Sequence, residues 1–256
     1  MSIFDTINHK INEFTPISLK EMGVVKLMNR VDTKFVASTE QLIPFLTMIQ
    51  NDYLVQEVQG RRISGYKTLY FDTPEHSMYL IHQNGRAFRE KIRMREYIGS
   101  DLVFLEVKDK NNRGRTKKVR IELPQWGDYQ NDECSEFLGQ RAKFELEHIQ
   151  PHLQNTFQRI TLVIKQRTER LTIDLGINFH NMELNTEVDM SGIMVIELKQ
   201  DGYSMSYSRK ALRNLRILPM GFSKYCIGCA LTNPQLKQNN FKDRLRAINR
   251  IEKLTL

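Results

Sequence analysis

Through the middle of the chain, hydrophobic and polar positions alternate with a period of two. From Arg89 to Arg95 every second residue is a cation, Arg89, Lys91, Arg93 and Arg95, interleaved with Glu90, Ile92 and Met94 and closed by Tyr97. On a β-strand this spacing puts the four charges on one face and Ile92 and Met94 on the other, whereas a helix would scatter them around its circumference. A strand is therefore expected from Arg86 to Tyr97. Gly99 and Ser100 then make a turn into LVFLEVKDK, with Val103, Leu105 and Val107 on one face and Phe104, Glu106 and Lys108 on the other. Asn111, Asn112 and Gly114 mark a second hairpin turn, and TKKVRIEL returns with Lys118, Arg120 and Glu122 opposite Val119 and Ile121. Three consecutive strands share one design, charged on one side and apolar on the other.

Elsewhere the period changes. Phe4, Ile7, Ile11 and Phe14 have helical spacing and predict a helix over about 1–15, ending near Pro16. NRVDTKFVAS reads as a strand with Arg30, Asp32 and Lys34 on one face, and Ser38 caps a helix running to Gln50. Residues 53–58 and 63–73 read as strands, the second stopped by Pro74, and a short helix is expected around Met78 to His82. Residues 132–154 show a helical pattern in Phe137, Leu138, Phe144, Leu146 and Ile149. RITLVIKQRTERLTIDLGINF predicts one or two strands carrying Arg167 and Arg170. VIELK, Val195 to Lys199, repeats the pattern of FLEVK, Phe104 to Lys108, and suggests an equivalent strand of the same sheet. Helices follow over 206–216 and from near Ser223. The tail from about 235 to 254 is a basic amphipathic helix whose apolar face, Phe241, Leu245 and Ile248, suits packing against the body.

Composition narrows the class. The 256 residues are 27% charged and 40% hydrophobic, the balance of an ordinary globular protein, and one domain is expected. A net charge of +8 arises from 38 Lys and Arg against 30 Asp and Glu, so the excess is a matter of placement. It suits an anionic ligand, a nucleic acid or an acidic surface. No stretch approaches the roughly 20 apolar residues of a membrane span, and no apolar signal-peptide core opens the chain; a cytosolic protein is expected. Three cysteines are too few for a disulfide framework, and Cys226 and Cys229 read as buried helix thiols.

Many strands of similar length with charge on one face suggest an α+β fold: a closed antiparallel barrel, helices covering its apolar outside and the charged faces lining a lumen. That lumen would hold Lys34, Arg89, Lys91, Arg93, Arg95, Lys108, Lys118, Arg120, Arg167, Arg170 and Lys199, opposed by Asp32, Glu106, Glu122 and Glu197. Neighbouring like charges about 7 Å apart along a strand repel by roughly 2 kcal/mol at an effective dielectric near 20. Such a row needs open solvent or a polyanion. Arg offers phosphate a planar fork and Lys a mobile point charge. Carboxylates among them make sense if a divalent metal rides on the phosphates, with Glu197 the first candidate ligand and Glu106 the second; an ion pair with a neighbouring base is the alternative for each.

NRVDTKF, TLYFDTP, NGRAFREKIRMREY, FLEVKDKNNRGRTKKVRIEL, VIELK and GFSKYCIG occur in the order seen in the VTC (vacuolar transporter chaperone) domain. The chain resembles that polyphosphate polymerase branch of the triphosphate tunnel metalloenzymes from about Arg30 to Gly228. The resemblance implies a closed eight-stranded antiparallel tunnel that binds a triphosphate or polyphosphate chain in its basic lumen, with Mn²⁺ or Mg²⁺ held by a glutamate. By motif, Lys34, Arg93, Arg95, Lys108, Lys118, Arg120 and Arg167 match phosphate-binding cations, Glu197 the metal-binding glutamate, and Ser223 with Lys224 the SKY element. Arg30, Asp32 and Lys34 stand where the sister CYTH branch has ExExK, which argues against a CYTH-type cyclase or thiamine triphosphatase. The segment between Arg167 and Asp174 is shorter than the family pattern and lacks its aromatic residue.

The function expected on this basis is transfer of the ATP γ-phosphoryl group to a polyphosphate chain. An inorganic triphosphatase of the same fold and a non-catalytic polyphosphate binder are the alternatives. Nucleic-acid binding is the weakest option, because no base-stacking aromatics interleave with the basic run.

Overall fold

In a computed structural model, the described residues are 3–22, 30–112, 116–202 and 206–253. Gly114 of the second predicted turn lies outside them. In chain order the elements are α1 (Ile3–Asn12), β1 (Thr15–Ser18), α2 (Leu19–Met22), β2 (Arg30–Ser38), α3 (Leu42–Ile49), β3 (Tyr53–Glu57), β4 (Ile63–Asp72) and α4 (Ser77–Gln83). There follow β5 (Arg89–Ile98), β6 (Val103–Lys110), β7 (Thr116–Leu123), α5 (Asp132–Arg141), β8 (Gln150–Ile164), β9 (Glu169–Asn181), β10 (Thr186–Met190) and β11 (Ile193–Asp201). The last are α6 (Tyr207–Asn214), α7 (Lys224–Thr232) and α8 (Lys242–Lys253). Among the described residues no helix is long and apolar enough to cross a membrane.

The strands form one 11-stranded sheet whose main path is β2-β11-β9-β8-β4-β5-β6-β7, with β1, β3 and β10 attached to its side. Every pairing along that path is antiparallel. The expected closed eight-stranded barrel is not formed: among the described residues β7 pairs only with β6, and no ladder joins it to β2. The free edge of β2 is occupied otherwise: Met220 N–H donates to the Lys34 carbonyl at 2.8 Å, and Pro219 makes a bridge to Phe35. On β7, Lys117, Lys118 and Arg120 keep the other edge strand charged and exposed, a common guard against edge pairing.

The apolar faces are buried as expected. Phe35, Leu162, Ile173 and Ile196 pack beneath Leu42, Phe45, Leu46 and Ile49 of α3 and Ile7 and Ile11 of α1. Ile92, Met94, Leu105 and Val107 join a second cluster with Cys134 and Leu138 of α5. Phe241 and Ile248 are buried in the same cluster, so the C-terminal helix packs on the body.

Helix and strand boundaries depart from the pattern in one long segment. The predicted helix over 132–154 stops at Arg141: Lys143 N–H is drawn away to the buried Glu90 carboxylate, at 3.0 and 3.2 Å, and β8 begins at Gln150. The first helix, expected over about 1–15, ends at Asn12, and Thr15–Ser18 form the short strand β1, parallel to β3.

Candidate functional site

Register alone brings the charged faces together. Across β5, β6 and β7, Lys91 pairs with Lys108 and Lys108 with Lys118, while Arg93 pairs with Glu106 and Glu106 with Arg120. At the other end of the path, Lys34 on β2 pairs with Glu197 on β11, which pairs with Thr172 on β9. The ends also face one another. Lys108 on β6 interacts electrostatically with Glu197 and Lys34 as well as with Arg93 and Lys91, so the sheet curls around its charged face despite its open edges.

Three carboxylates on this inner face, Glu106, Asp174 and Glu197, each hold two cations. Glu106 is fully buried and accepts from Arg93 Nε at 2.7 Å, Arg93 NH2 at 2.6 Å and Lys118 Nζ at 2.7 Å. Burial alone would raise its carboxyl, but the Arg93, Arg95 and Lys118 charges overcome it and hold it at about 2. Asp174 on β9 accepts a fork from Arg159 on β8, at 2.6 and 2.8 Å, and an ammonium hydrogen bond from Lys224. Glu197 takes Lys34 on one oxygen and Lys199, at 3.1 Å, on the other. Against the effect of burial, these cations hold Asp174 and Glu197 well below the usual carboxylate range.

Aromatic faces also lie against several of these cations. Tyr66 and Phe157 stack with centroids 5.0 Å apart. Arg95 and Arg159 lie 5.5 and 5.1 Å from the Tyr66 ring, and Lys224 lies 4.1 Å from the Phe157 ring. Arg120 lies 4.0 Å over Phe104. Burial and the neighbouring Arg93 lower Arg95 to about 10. Burial, then Arg93 and Lys91, brings Lys108 down to about 7, although its side chain still reaches solvent. Burial also lowers Lys224, to about 8, partly offset by Asp174. On the same face both polar atoms of the Asn155 side chain and the Thr172 hydroxyl are buried without a hydrogen-bond partner, the condition of groups whose set a ligand or water completes.

A helix end adds to this face. α7 packs over Leu153 of β8 and Phe179 of β9 so closely that a Cβ on Gly228 would meet them at 2.5 and 2.6 Å. Ser223 caps α7 and accepts from Lys91 Nζ at 2.7 Å, and Lys224 follows at the first helical position. Two sequence motifs fix the mount. Asp72 of TLYFDTP accepts from the amides of Met78 and Tyr79, at 2.8 and 2.9 Å, and from the hydroxyl of Tyr225 in the SKY element. Cys226 and Cys229 are buried thiols, as expected, with Cys226 Sγ 2.9 Å from His82 Nδ1.

Of the predicted site residues, Lys34, Lys91, Arg93, Arg95, Glu106, Lys108, Lys118, Arg120, Glu197, Lys199, Ser223 and Lys224 thus converge. Arg89 lies farther along β5, its Nε buried without a hydrogen-bond partner. Arg170 sits at the rim opposite Lys199. Arg167 stands apart, exposed on the turn between β8 and β9 with φ 60°. Arg159, absent from the sequence prediction, occupies the inner face instead, as does Asp174. The signal was the alternation of Arg159, Thr161 and Val163, which continues the inner face of β8.

As donors, the two glutamates differ. Glu197 keeps 16% exposure, and one carboxylate suits a hard divalent ion that draws its other oxygens from phosphate and water. Glu106 does not fit that role, since it is fully enclosed and an ion would have to displace the buried Arg93 fork to reach it.

A model of the VTC domain family matches residues 29–233. A search of curated proteins finds no match. Among solved structures, the chain is similar to an adenylyl cyclase candidate from Hippeastrum with a dominant triphosphatase activity, at 12% identity and a TM-score of 0.47, covering 79% of this chain and 96% of that one. It is also similar to an adenylate cyclase candidate from Vibrio parahaemolyticus, at 12% identity and a TM-score of 0.45, covering 79% and 99%.

Proposed function

Because this chain belongs to the VTC domain family, we propose that it is a polyphosphate polymerase, which transfers the terminal phosphoryl group of ATP to a polyphosphate chain lying along the inner face of the sheet. The observation that carries this reading is the double pairing of Glu106, Asp174 and Glu197. Each pair of cations is assembled and partly dehydrated before any ligand arrives, and a phosphate chain offers the same cations more negative charge than the carboxylates do.

Phosphoryl transfer needs mainly positioning and charge stabilisation, with the attacking and leaving oxygens in line. Arg93 and Arg95 on β5 and Arg159 on β8 present guanidinium forks on either side of β4, and Lys118 and Arg120 supply charge from β7. Lys224 and the N-terminus of α7 add positive potential at one end of the row. No covalent nucleophile is required, because the acceptor is a phosphate oxygen already ionised at neutral pH. Glu197, with Lys34 and Lys199 displaced onto phosphate, would hold Mn²⁺ or Mg²⁺, whose charge would offset that of the phosphate oxygens.

The test is incubation with ATP and Mn²⁺, followed by gel analysis of chains and assay of free phosphate, for the wild type and Glu197→Gln. Long chains from the wild type, with turnover lost but polyphosphate affinity largely kept in Glu197→Gln, are expected. Free phosphate without chains would replace the proposal with a triphosphatase. Binding of polyphosphate without metal-dependent turnover would leave a binding module.

A further inference from the structure

Away from the charged inner face, three potential metal ligands meet where β4 leads into α4, β8 begins and β9 turns into β10. His76 precedes α4 with φ 58° and ψ 39°, a left-handed conformation that is sterically unfavourable for a residue with a Cβ. That backbone brings its ring against His152: the centroids are 4.3 Å apart, edge to face, and His76 Nδ1 lies 2.9 Å from His152 Nε2. Glu183 Oε2 lies 3.9 Å from His76 Nε2. One ligand atom from each residue falls within 4.8 Å of the other two.

We infer that His76, His152 and Glu183 form a binding site for a divalent ion of the zinc type, distinct from the phosphate-binding face. Two nitrogens bound to zinc at about 2.0–2.1 Å stand roughly 3.3 Å apart at a tetrahedral angle, so the imidazole pair needs to open by only a few tenths of an ångström. His152 is 2% exposed, held between β8 and the turn before α4, and offers Nε2 toward the same point as His76. The His76 amide donates to the Thr73 carbonyl at 2.9 Å, which fixes where that ligand stands. Glu183 is positioned as well, because Asn181 Oδ1 accepts from the Glu183 and Leu184 amides at 3.0 and 2.9 Å. Its 44% exposure gives the ion a route in and leaves room for water in the remaining position. Two imidazoles and one carboxylate select Zn²⁺, Co²⁺ or Ni²⁺ over Mg²⁺ and Mn²⁺, which favour all-oxygen sets. Bound there, the ion ties the loop after β4 to β8 and to the β9–β10 turn.

Metal-stripped full-length protein is titrated with Co²⁺ as a spectroscopic probe and with Zn²⁺ by calorimetry. The wild type and Glu197→Gln are expected to bind one equivalent of Co²⁺ with the visible bands of a four-coordinate site, displaced by Zn²⁺, and to melt at a higher temperature when loaded. His76→Gln and Glu183→Gln should each lose at least about tenfold in affinity, the scale on which even outer-shell ligand changes act. Circular dichroism of the metal-free variants verifies folding, and Glu183→Gln, at a half-exposed turn, retains it. The inference is overturned if the wild type shows no stoichiometric Co²⁺ spectrum, or if both His76→Gln and Glu183→Gln bind with unchanged affinity. Loss of Co²⁺ in Glu197→Gln with retention in His76→Gln would overturn it too, by assigning the ion to the inner face.

Discussion

Replacing Glu106 by Gln removes the most enclosed negative charge of the inner face while keeping its shape. The carboxyl falls from its ordinary value near 4.5 to about 2 in the folded protein, which corresponds to roughly 3 kcal/mol of stabilisation. That agrees with the about 3–5 kcal/mol lost when one partner of a buried ion pair is removed. Most of it belongs to Arg93, which is 15% exposed; Lys118, 42% exposed, contributes only the ~0.2–1 kcal/mol of a solvated pair. A chain of this size melts about 2–4 °C lower per kcal/mol, so Glu106→Gln is expected to lower Tm by about 6–12 °C at neutral pH. The sign with pH follows from a depressed folded value: the stabilisation is full above about 4.5 and fades as pH falls toward about 2, so wild type and variant converge in acid. Tripolyphosphate should reverse the order of response. In the variant Arg93 and Lys118 are released to the anion, and the rise in Tm on adding it should exceed that of the wild type. Scanning calorimetry with and without tripolyphosphate reads both effects. A variant that melts with the wild type, or gains less from the anion, refutes the reasoning.

Other expectations follow from the same face. Lys108 at about 7 and Lys224 at about 8 are partly neutral near physiological pH, and a phosphate chain favours their charged forms. Tripolyphosphate affinity should therefore rise as pH falls through that range, with proton uptake visible as buffer-dependent heats in calorimetry; affinity rising with pH would contradict it. Arg159→Lys keeps the charge but loses the fork to Asp174 and should weaken tripolyphosphate binding by about tenfold, the scale of one charged hydrogen bond. Arg167→Ala, on the exposed turn, should bind like the wild type in the same titration. Gly228→Ala forces a methyl group against Leu153 and Phe179, and urea unfolding should show a loss of about 1–3 kcal/mol.

The period-two strands were legible because their two faces differ so sharply. Glu106 with Lys108 and Glu197 with Lys199 do occupy equivalent inner positions on β6 and β11, as FLEVK and VIELK suggested. The misplacement of Arg167 has a specific cause. The turn between β8 and β9 contains Lys165, Gln166, Arg167 and Thr168, with no Gly, Pro or Asn to punctuate it, and the positive φ is carried by the arginine itself. Without that break the eye assigns the charge to a strand, and Arg159 on β8 is passed over. In residues 142–149, Phe144, Leu146 and Ile149 imitate a helical stripe, but the Glu90 carboxylate captures the chain from a distant strand. Pro151, at the start of β8, was the available warning. Closure of the barrel was not legible at all, since alternation tells which face a residue takes and not whether two edges meet.

The open edges set how the charged inner wall, the proposed phosphate-binding face, responds to force. β8 is held by β4 and β3 on one side and by β9 on the other, whereas among the described residues β7 has ladder hydrogen bonds on one side only. The wall is therefore stiff at Arg159 and compliant at Lys118 and Arg120. Swinging β7 outward breaks one ladder at most, while a closed cylinder would have to shear two. A polyanion of varying thickness, bare or carrying bound ions, can be gripped by the yielding side without disturbing the rigid one, and faster amide exchange in β7 than in β8 is the signature of that division.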